Sequence, residues 1–178
     1  MPNWKTHSST RFCFATKSIV AWQPVFQNEG ACNIILEMLN YSIAHRMIHI
    51  HGYVIMPTHA HFILSAPNGK MISNAMRDMC AYSSRQISEM LFVQKEFDIL
   101  HAFSSAANED RRGNSFKVWQ DGYHPVTLLS EHFYREKLLY IHNNPIRKGL
   151  VEKAEDWKYS SARNYILNDH SIIAIECL

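Results

Sequence analysis

At 178 residues the chain is long enough for one domain with a full core and too short for two. A hydrophobic fraction of 47% and a charged fraction of 19% are ordinary for a globular protein and exclude disorder over most of the length. The net charge of +2, with histidine neutral, is compatible with nucleic-acid binding but does not indicate it, because non-specific duplex binders carry a clearer basic excess.

In chain order, residues 11–22 are β-branched and aromatic and predict a first strand, closed by Gln23-Pro24. Asn28 is a candidate N-cap. From there Ile34, Ile35, Met38, Leu39 and Ile43 recur at helical spacing and predict a helix to about Arg46. Ile48–Met56 and His59–Ala66 predict two buried strands joined at Pro57-Thr58, and Pro67-Asn68-Gly69 is a turn signal. A second helix is predicted from about Ser73 to Leu91, with Met76, Met79, Cys80 and Ile87 as core positions.

Residues 104–116, rich in Ser, Asn and charge, predict an exposed loop. Asp121-Gly122, between Lys117–Gln120 and Tyr123–Leu128, is a two-residue hairpin signal, forming either an elaboration of the sheet or its last strand. Ser130-Glu131 opens a third helix that should end near Asn144, because Pro145 disfavours helical geometry in the residue before it. Beyond Gly149 the chain is expected to be short and irregular, anchored by Trp157 and Tyr159. The order strand, helix, strand, strand, helix, strand, with one further helix, is that of a split βαβ unit. We therefore expect one α+β domain over residues 1–178: a ferredoxin-like antiparallel sheet with helices packed on one face.

No apolar run approaches the roughly 20 residues that span a bilayer, and the first ten residues lack the apolar core of a secretory signal. Cys13, Cys32, Cys80 and Cys177 form no Cys-x-x-Cys pair. That argues against a zinc ribbon or a disulfide framework and suits a reducing cytoplasm.

His59-Ala60-His61 carries the sharpest chemical signal. In a strand, side chains at i and i+2 share a face, so both imidazoles project together from an apolar setting. Neutral imidazole is the commonest metal ligand. A pair of hydrogen-bonded strand histidines is the alternative, and the tripeptide alone does not choose between them. In the third helix, Tyr134, Leu138 and Ile141 form an apolar stripe. Tyr140 lies about 200° around the helix from Leu138, and Asn144 shares its side at i+4.

Met56-Pro-Thr-His-Ala-His-Phe-Ile-Leu64, Trp119-Gln-Asp-Gly-Tyr-His124, Tyr140-Ile-His-Asn-Asn-Pro-Ile-Arg-Lys-Gly-Leu-Val151 and Glu155–Tyr165 occur in this order over roughly residues 11–165. Together they resemble the REP-associated tyrosine transposases, relatives of the single-tyrosine HUH insertion-sequence transposases. The resemblance implies that His59, His61 and Asn144 hold Mg²⁺ or Mn²⁺. It implies that Tyr140, on a C-terminal helix, cuts single-stranded DNA through a 5′-phosphotyrosine intermediate. The implied partner is single-stranded DNA carrying a hairpin from a repetitive extragenic palindrome. Family members exist as dimers and as monomers, so a homodimer stays open, as does whether Tyr140 serves its own site or a partner's. Candidate backbone contacts are Arg147, Lys148, Lys158 and Arg163, with Arg111 and Arg112 in the expected loop. One departure is Thr58, where the family usually has Asn.

Two other readings compete. A zinc hydrolase of the metallo-β-lactamase kind needs Asp two residues after the second histidine, where this chain has Ile63, and no His-Glu-x-x-His occurs. A DNA-binding relative that has lost cleavage should lack one of His59, His61, Tyr140 or Asn144, yet all four are present.

Overall fold

Four strands form one antiparallel sheet in the computed structural model, which describes residues 11–45, 48–66, 69–110, 113, 115–122 and 124–178. Strands β1 (Arg11–Ser18), β2 (His49–Met56), β3 (His59–Ala66) and β4 (Val126–Leu128) lie in the spatial order β2-β3-β1-β4. Helix α1 (Glu29–Ala44) connects β1 to β2, while α2 (Gly69–Val93) and α3 (Phe97–Asp110) connect β3 to β4. Helices α4 (Glu131–Arg147) and α5 (Ala162–Leu167) follow. This is the expected ferredoxin-like arrangement, except that helices cover both faces of the sheet rather than one, α1 and α2 on one side and α4 on the other. Among the described residues no helix is long and apolar enough to cross a membrane.

Strand alternation divides the core. Cys13, Ile55, Phe62 and Leu64 pack with Ile35 and Leu39 of α1 and Met76 and Met79 of α2, so the two crossover helices share one face. Phe12, Val54, Met56 and Ile63 point the other way, beneath Tyr134 and Ile141 of α4. His59 and His61 are in phase with Ile63. They therefore open onto the α4 face.

Gly52 determines how closely α4 approaches. A Cβ at this position would lie 2.9 Å from Ile141 Cδ1 and 3.0 Å from Leu138 Cδ1. The helix begins as expected, with the Ser130 hydroxyl accepting from Phe133 N at 3.2 Å. It does not stop at Asn144. Pro145 leaves the Ile141 carbonyl without its helical donor, but its ring is buried, and the end is closed one turn later. There Gly149 N donates to Ile146 O and Leu150 N to Pro145 O, with Gly149 at φ 67°. That is a Schellman ending with glycine in the left-handed position.

Three other expectations change. Strand β1 ends at Ser18, and Val20–Trp22 is a tight helical turn in which Ala21 and Trp22 have φ of 51° and 54°. Each such residue costs about 1–2 kcal/mol. The segment read as a loop from 104 is helical to Asp110, because Leu100, Phe103 and Ala107 form a buried stripe that outweighs the polar composition around it. Asp121-Gly122 does not make a hairpin. Trp119 pairs opposite Ile19, just past the end of β1, and Val126 opposite Phe14, so the residues on either side of the dipeptide pair with the β1 segment. Lys17 Nζ donates to the carbonyls of Gln120 and Gly122.

The C-terminal segment covers the outer edge of β2. Ile55 N donates to Tyr159 O and Ser161 N to Tyr53 O, each at 2.9 Å. Trp157 and Tyr159 act as the expected anchors, with the Trp157 indole donating to Ile55 O at 3.0 Å. The Ser161 hydroxyl accepts from Tyr53 N, donates to Tyr53 O, and meets His142 Nε2 at 2.8 Å. A single buried hydroxyl thus ties β2, α4 and the C-terminal segment together. His142 is a packing histidine, its pKa lowered by burial to about 4.

Candidate metal and tyrosine site

Antiparallel pairing sets Thr16 opposite His61, and the Thr16 hydroxyl lies 2.7 Å from His61 Nδ1. Thr58, in the turn before β3, lies 3.0 Å from His59 Nδ1. With each Nδ1–H donated to a hydroxyl, the lone pair of each ring resides on Nε2. The two rings stand edge to face with centroids 4.8 Å apart. Burial lowers both pKa values. Lys148 lowers His59 further, and His61 falls to about 3 with His59 as second cause. Both imidazoles are therefore neutral at pH 7, which is the ligating form.

Helix α4 runs alongside this pair. The Tyr140 ring centroid is 5.3 Å from that of His61, Phe14 stacks on the same imidazole at 5.3 Å, and the Phe14 and Tyr140 rings stand edge to face 6.1 Å apart. Tyr140 remains 38% exposed, so its phenol is open to a ligand. Lys137 Nζ and the Arg147 guanidinium each lie 5.9 Å from its ring centroid. One turn after Tyr140 comes Asn144, and one turn further comes Lys148, whose charge acts on His59. Tyr140 and His61 meet within one chain.

Two buried polar atoms on this seam, His61 Nε2 and Asn144 Nδ2, have no hydrogen-bond partner among the described residues. Leaving such a group unsatisfied costs about 1–3 kcal/mol, and native structures rarely do so without reason. An asparagine amide can turn its oxygen into the place of its nitrogen. The chain would then offer two imidazole nitrogens and one amide oxygen as ligands. The donor set fits a divalent ion that accepts mixed nitrogen and oxygen ligands; Mn²⁺ tolerates two imidazoles better than Mg²⁺ does. Among the described residues, no group of three or more His, Cys, Asp or Glu side chains could hold a metal, so the ligand set of a zinc hydrolase does not form there.

The basic candidates separate. Arg147 and Lys148 are exposed and adjoin the tyrosine and the histidine pair. Lys158 pairs with Glu29 at 3.3 Å, and Arg163 binds Asp169 at 2.7 Å and the Glu155 carbonyl at 3.1 Å. Arg111, Arg112, Tyr123 and the Pro67-Asn68 turn lie outside the described residues. Trp119 is a core residue whose indole donates to Ser83. Sequence reasoning missed Phe14, Thr16, Trp22 and Lys137. Lys137 was within reach, three residues before Tyr140 on the same side of a helix. The others follow only from β1–β3 register and from a backbone turn that no motif announces.

Neither a protein-family model nor a curated protein sequence matches the chain. Among solved structures it is similar to a REP-associated tyrosine transposase bound to a REP hairpin. The TM-score is 0.59 at 19% identity, over 93% of this chain and 86% of that one. At that identity the likeness establishes the shared α+β fold.

Proposed function

We propose that this chain is a transposase-type nuclease that cuts and rejoins single-stranded DNA, with Tyr140 as the nucleophile. The observation that carries the reading is the pair of orphaned polar atoms, His61 Nε2 and Asn144 Nδ2, buried on the seam beside an accessible tyrosine. Tyr140 Oη attacks the scissile phosphorus, an O–P bond forms to the phenol, and the bond to the 3′ oxygen breaks. The phenol proton passes to water and the departing 3′ oxygen takes one up from water, giving a free 3′-OH. The 5′ end stays on Tyr140 as a phosphodiester, which a 3′-OH can later attack to reseal the strand. His59, His61 and Asn144 would hold Mg²⁺ or Mn²⁺, which neutralises charge on a non-bridging phosphate oxygen. Lys137 and Arg147 flank the phenol and would draw the phosphate toward it.

Hairpin-bearing single-stranded DNA is the proposed substrate, supported by the shared fold with a protein whose structure holds a REP hairpin. Arg147 and Lys148 are the first candidates for backbone contact, followed by Lys158 and Arg163; Arg111 and Arg112, outside the described residues, are proposed from the sequence alone. Tyr140 acts in its own chain's site, so a homodimer is not required for cleavage. The four cysteines, all free thiols, suit a cytoplasmic location.

The test is incubation with labelled hairpin DNA bearing single-stranded flanks and Mn²⁺, followed by a denaturing gel. A covalent protein–DNA adduct is expected, absent in Tyr140→Phe and in metal-free buffer. An adduct that survives Tyr140→Phe would remove the tyrosine from the mechanism. Tight binding with no adduct on any hairpin would favour the non-catalytic relative.

A further inference from the structure

Ala21 and Trp22 are consecutive non-glycine residues with positive φ, 51° and 54°. Such strain persists only where surrounding structure enforces it, and it collects where function needs a fixed geometry. Here two segments, the Pro57-Thr58 turn and Val118–Gln120, enforce it. Ile19 N donates to Thr58 O, Val20 N to Val118 O, and Gln120 Nε2 to Ile19 O. Phe26 N, just beyond, donates to Pro57 O. Two of these bonds end on the Pro57-Thr58 turn that leads into His59. The strained turn and the turn leading into the histidine pair are therefore one hydrogen-bonded unit.

That unit holds an indole out of the core. Trp22 is 59% exposed, and its ring stands at 80° to His59 with centroids 6.3 Å apart. Trp119 is buried, and the half-buried Trp157 packs against the core. Trp22 alone, among the described tryptophans, is presented to solvent. Its edge-to-face contact with His59 leaves aromatic surface open for a flat ligand. Lys148, whose charge reaches His59, places a cation near the same end of the seam. A flat aromatic surface next to a cation is what a nucleotide of an unpaired strand requires, the base stacking and the phosphate meeting the charge.

We propose that Trp22 is a stacking platform for one unpaired base of the bound strand, next to the phosphate presented to Tyr140. The inference rests on the reading that single-stranded DNA reaches this site. Stacking on the indole fixes the strand's position without reading its sequence, because every base has a π face.

The test uses the Tyr140→Phe protein, so that no strand is cut, and fluorescence anisotropy with a labelled hairpin carrying single-stranded flanks. Trp22→Ala is expected to weaken binding roughly 5- to 150-fold, the range of one lost base–aromatic stack. Trp22→Phe should keep most of the affinity and guards against a folding defect. An abasic nucleotide is then stepped along the flank. At one position it should weaken binding to the parent by a similar factor and leave Trp22→Ala unaffected, since both changes remove the same contact. Equal abasic penalties in parent and Trp22→Ala at every position would overturn the platform while leaving the proposed function intact. So would weaker Mn²⁺ binding with unchanged DNA affinity, which would make the indole a cover for His59. No DNA binding by the parent would sink both readings.

Discussion

Gly52→Ala probes what seats the tyrosine-bearing helix on the sheet. The added Cβ would sit 2.9 Å from Ile141 Cδ1 and 3.0 Å from Leu138 Cδ1, well inside the usual carbon–carbon separation of about 3.5–4.0 Å. Leu138 is only partly buried and its end can swing aside. Ile141 is fully buried and has no such freedom. Overpacking of this kind costs about 1–3 kcal/mol. The loss of chain entropy in the unfolded state offsets about 0.4–1 kcal/mol, because Gly52 does not use the left-handed region. The net expectation is a loss of about 1–2 kcal/mol in urea unfolding. Ile141→Val removes the offending Cδ1 and alone should cost about 0.5–1.5 kcal/mol. In the double variant the clash is gone, so the combined loss should fall below the sum by about 1 kcal/mol. The rate of adduct formation gives a second readout. Tyr140 adjoins Ile141, and a displacement of about 1 Å can cost about 100-fold in rate. That loss should be recovered in the double variant. Strict additivity in stability, or an unchanged adduct rate in Gly52→Ala, would refute the argument that this glycine sets the helix.

Two further outcomes are expected. Thr16→Val removes the acceptor that orients His61 and should weaken Mn²⁺ binding about 10–100-fold with the fold intact by circular dichroism; unchanged metal titration would show that the hydroxyl has no such role. Ser161→Ala strands both Tyr53 N and His142 Nε2 in the core and should cost at least about 1–3 kcal/mol in urea unfolding, with a loss near zero counting against the shared hydroxyl as a tie.

Periodicity carried the framework of the fold. The apolar runs of β2 and β3, the 3.6-residue stripes of α1 and α2, and the caps at Asn28 and Ser130 are each visible as local patterns, and each formed as expected. The misreadings share a cause: tertiary partners overrode a local cue. Ser-rich residues 104–110 became helix because three apolar residues found the core. Asp121-Gly122 makes no hairpin because the residues on either side of it pair with the β1 segment. Pro145 stayed inside a helix because its ring is buried and a glycine closes the next turn. At the site, His59, His61, Tyr140 and Asn144 were legible as residue types at telling spacings. Thr16 and Phe14 were not, since register between strands separated by some forty residues leaves no mark on either segment alone.

The parts of the site come from two separate elements, and neither half can act alone. The strand presents two neutral imidazoles whose ring orientation is set by hydroxyls from β1 and the Pro57-Thr58 turn. The helix presents the phenol and the orphaned amide. Their relative position depends on residues that belong to neither set: Gly52 sets how near the helix comes, and Ser161 ties the helix to β2 through His142. The Tyr140-to-Val151 segment is thus joined to the later Glu155–Tyr165 segment by one hydroxyl that also pins the strand. A physical reason follows for finding both segments in the same chain. The second holds the first against the histidines, and a change at Ser161 should be felt at Tyr140, although no atom of Ser161 is proposed to touch DNA.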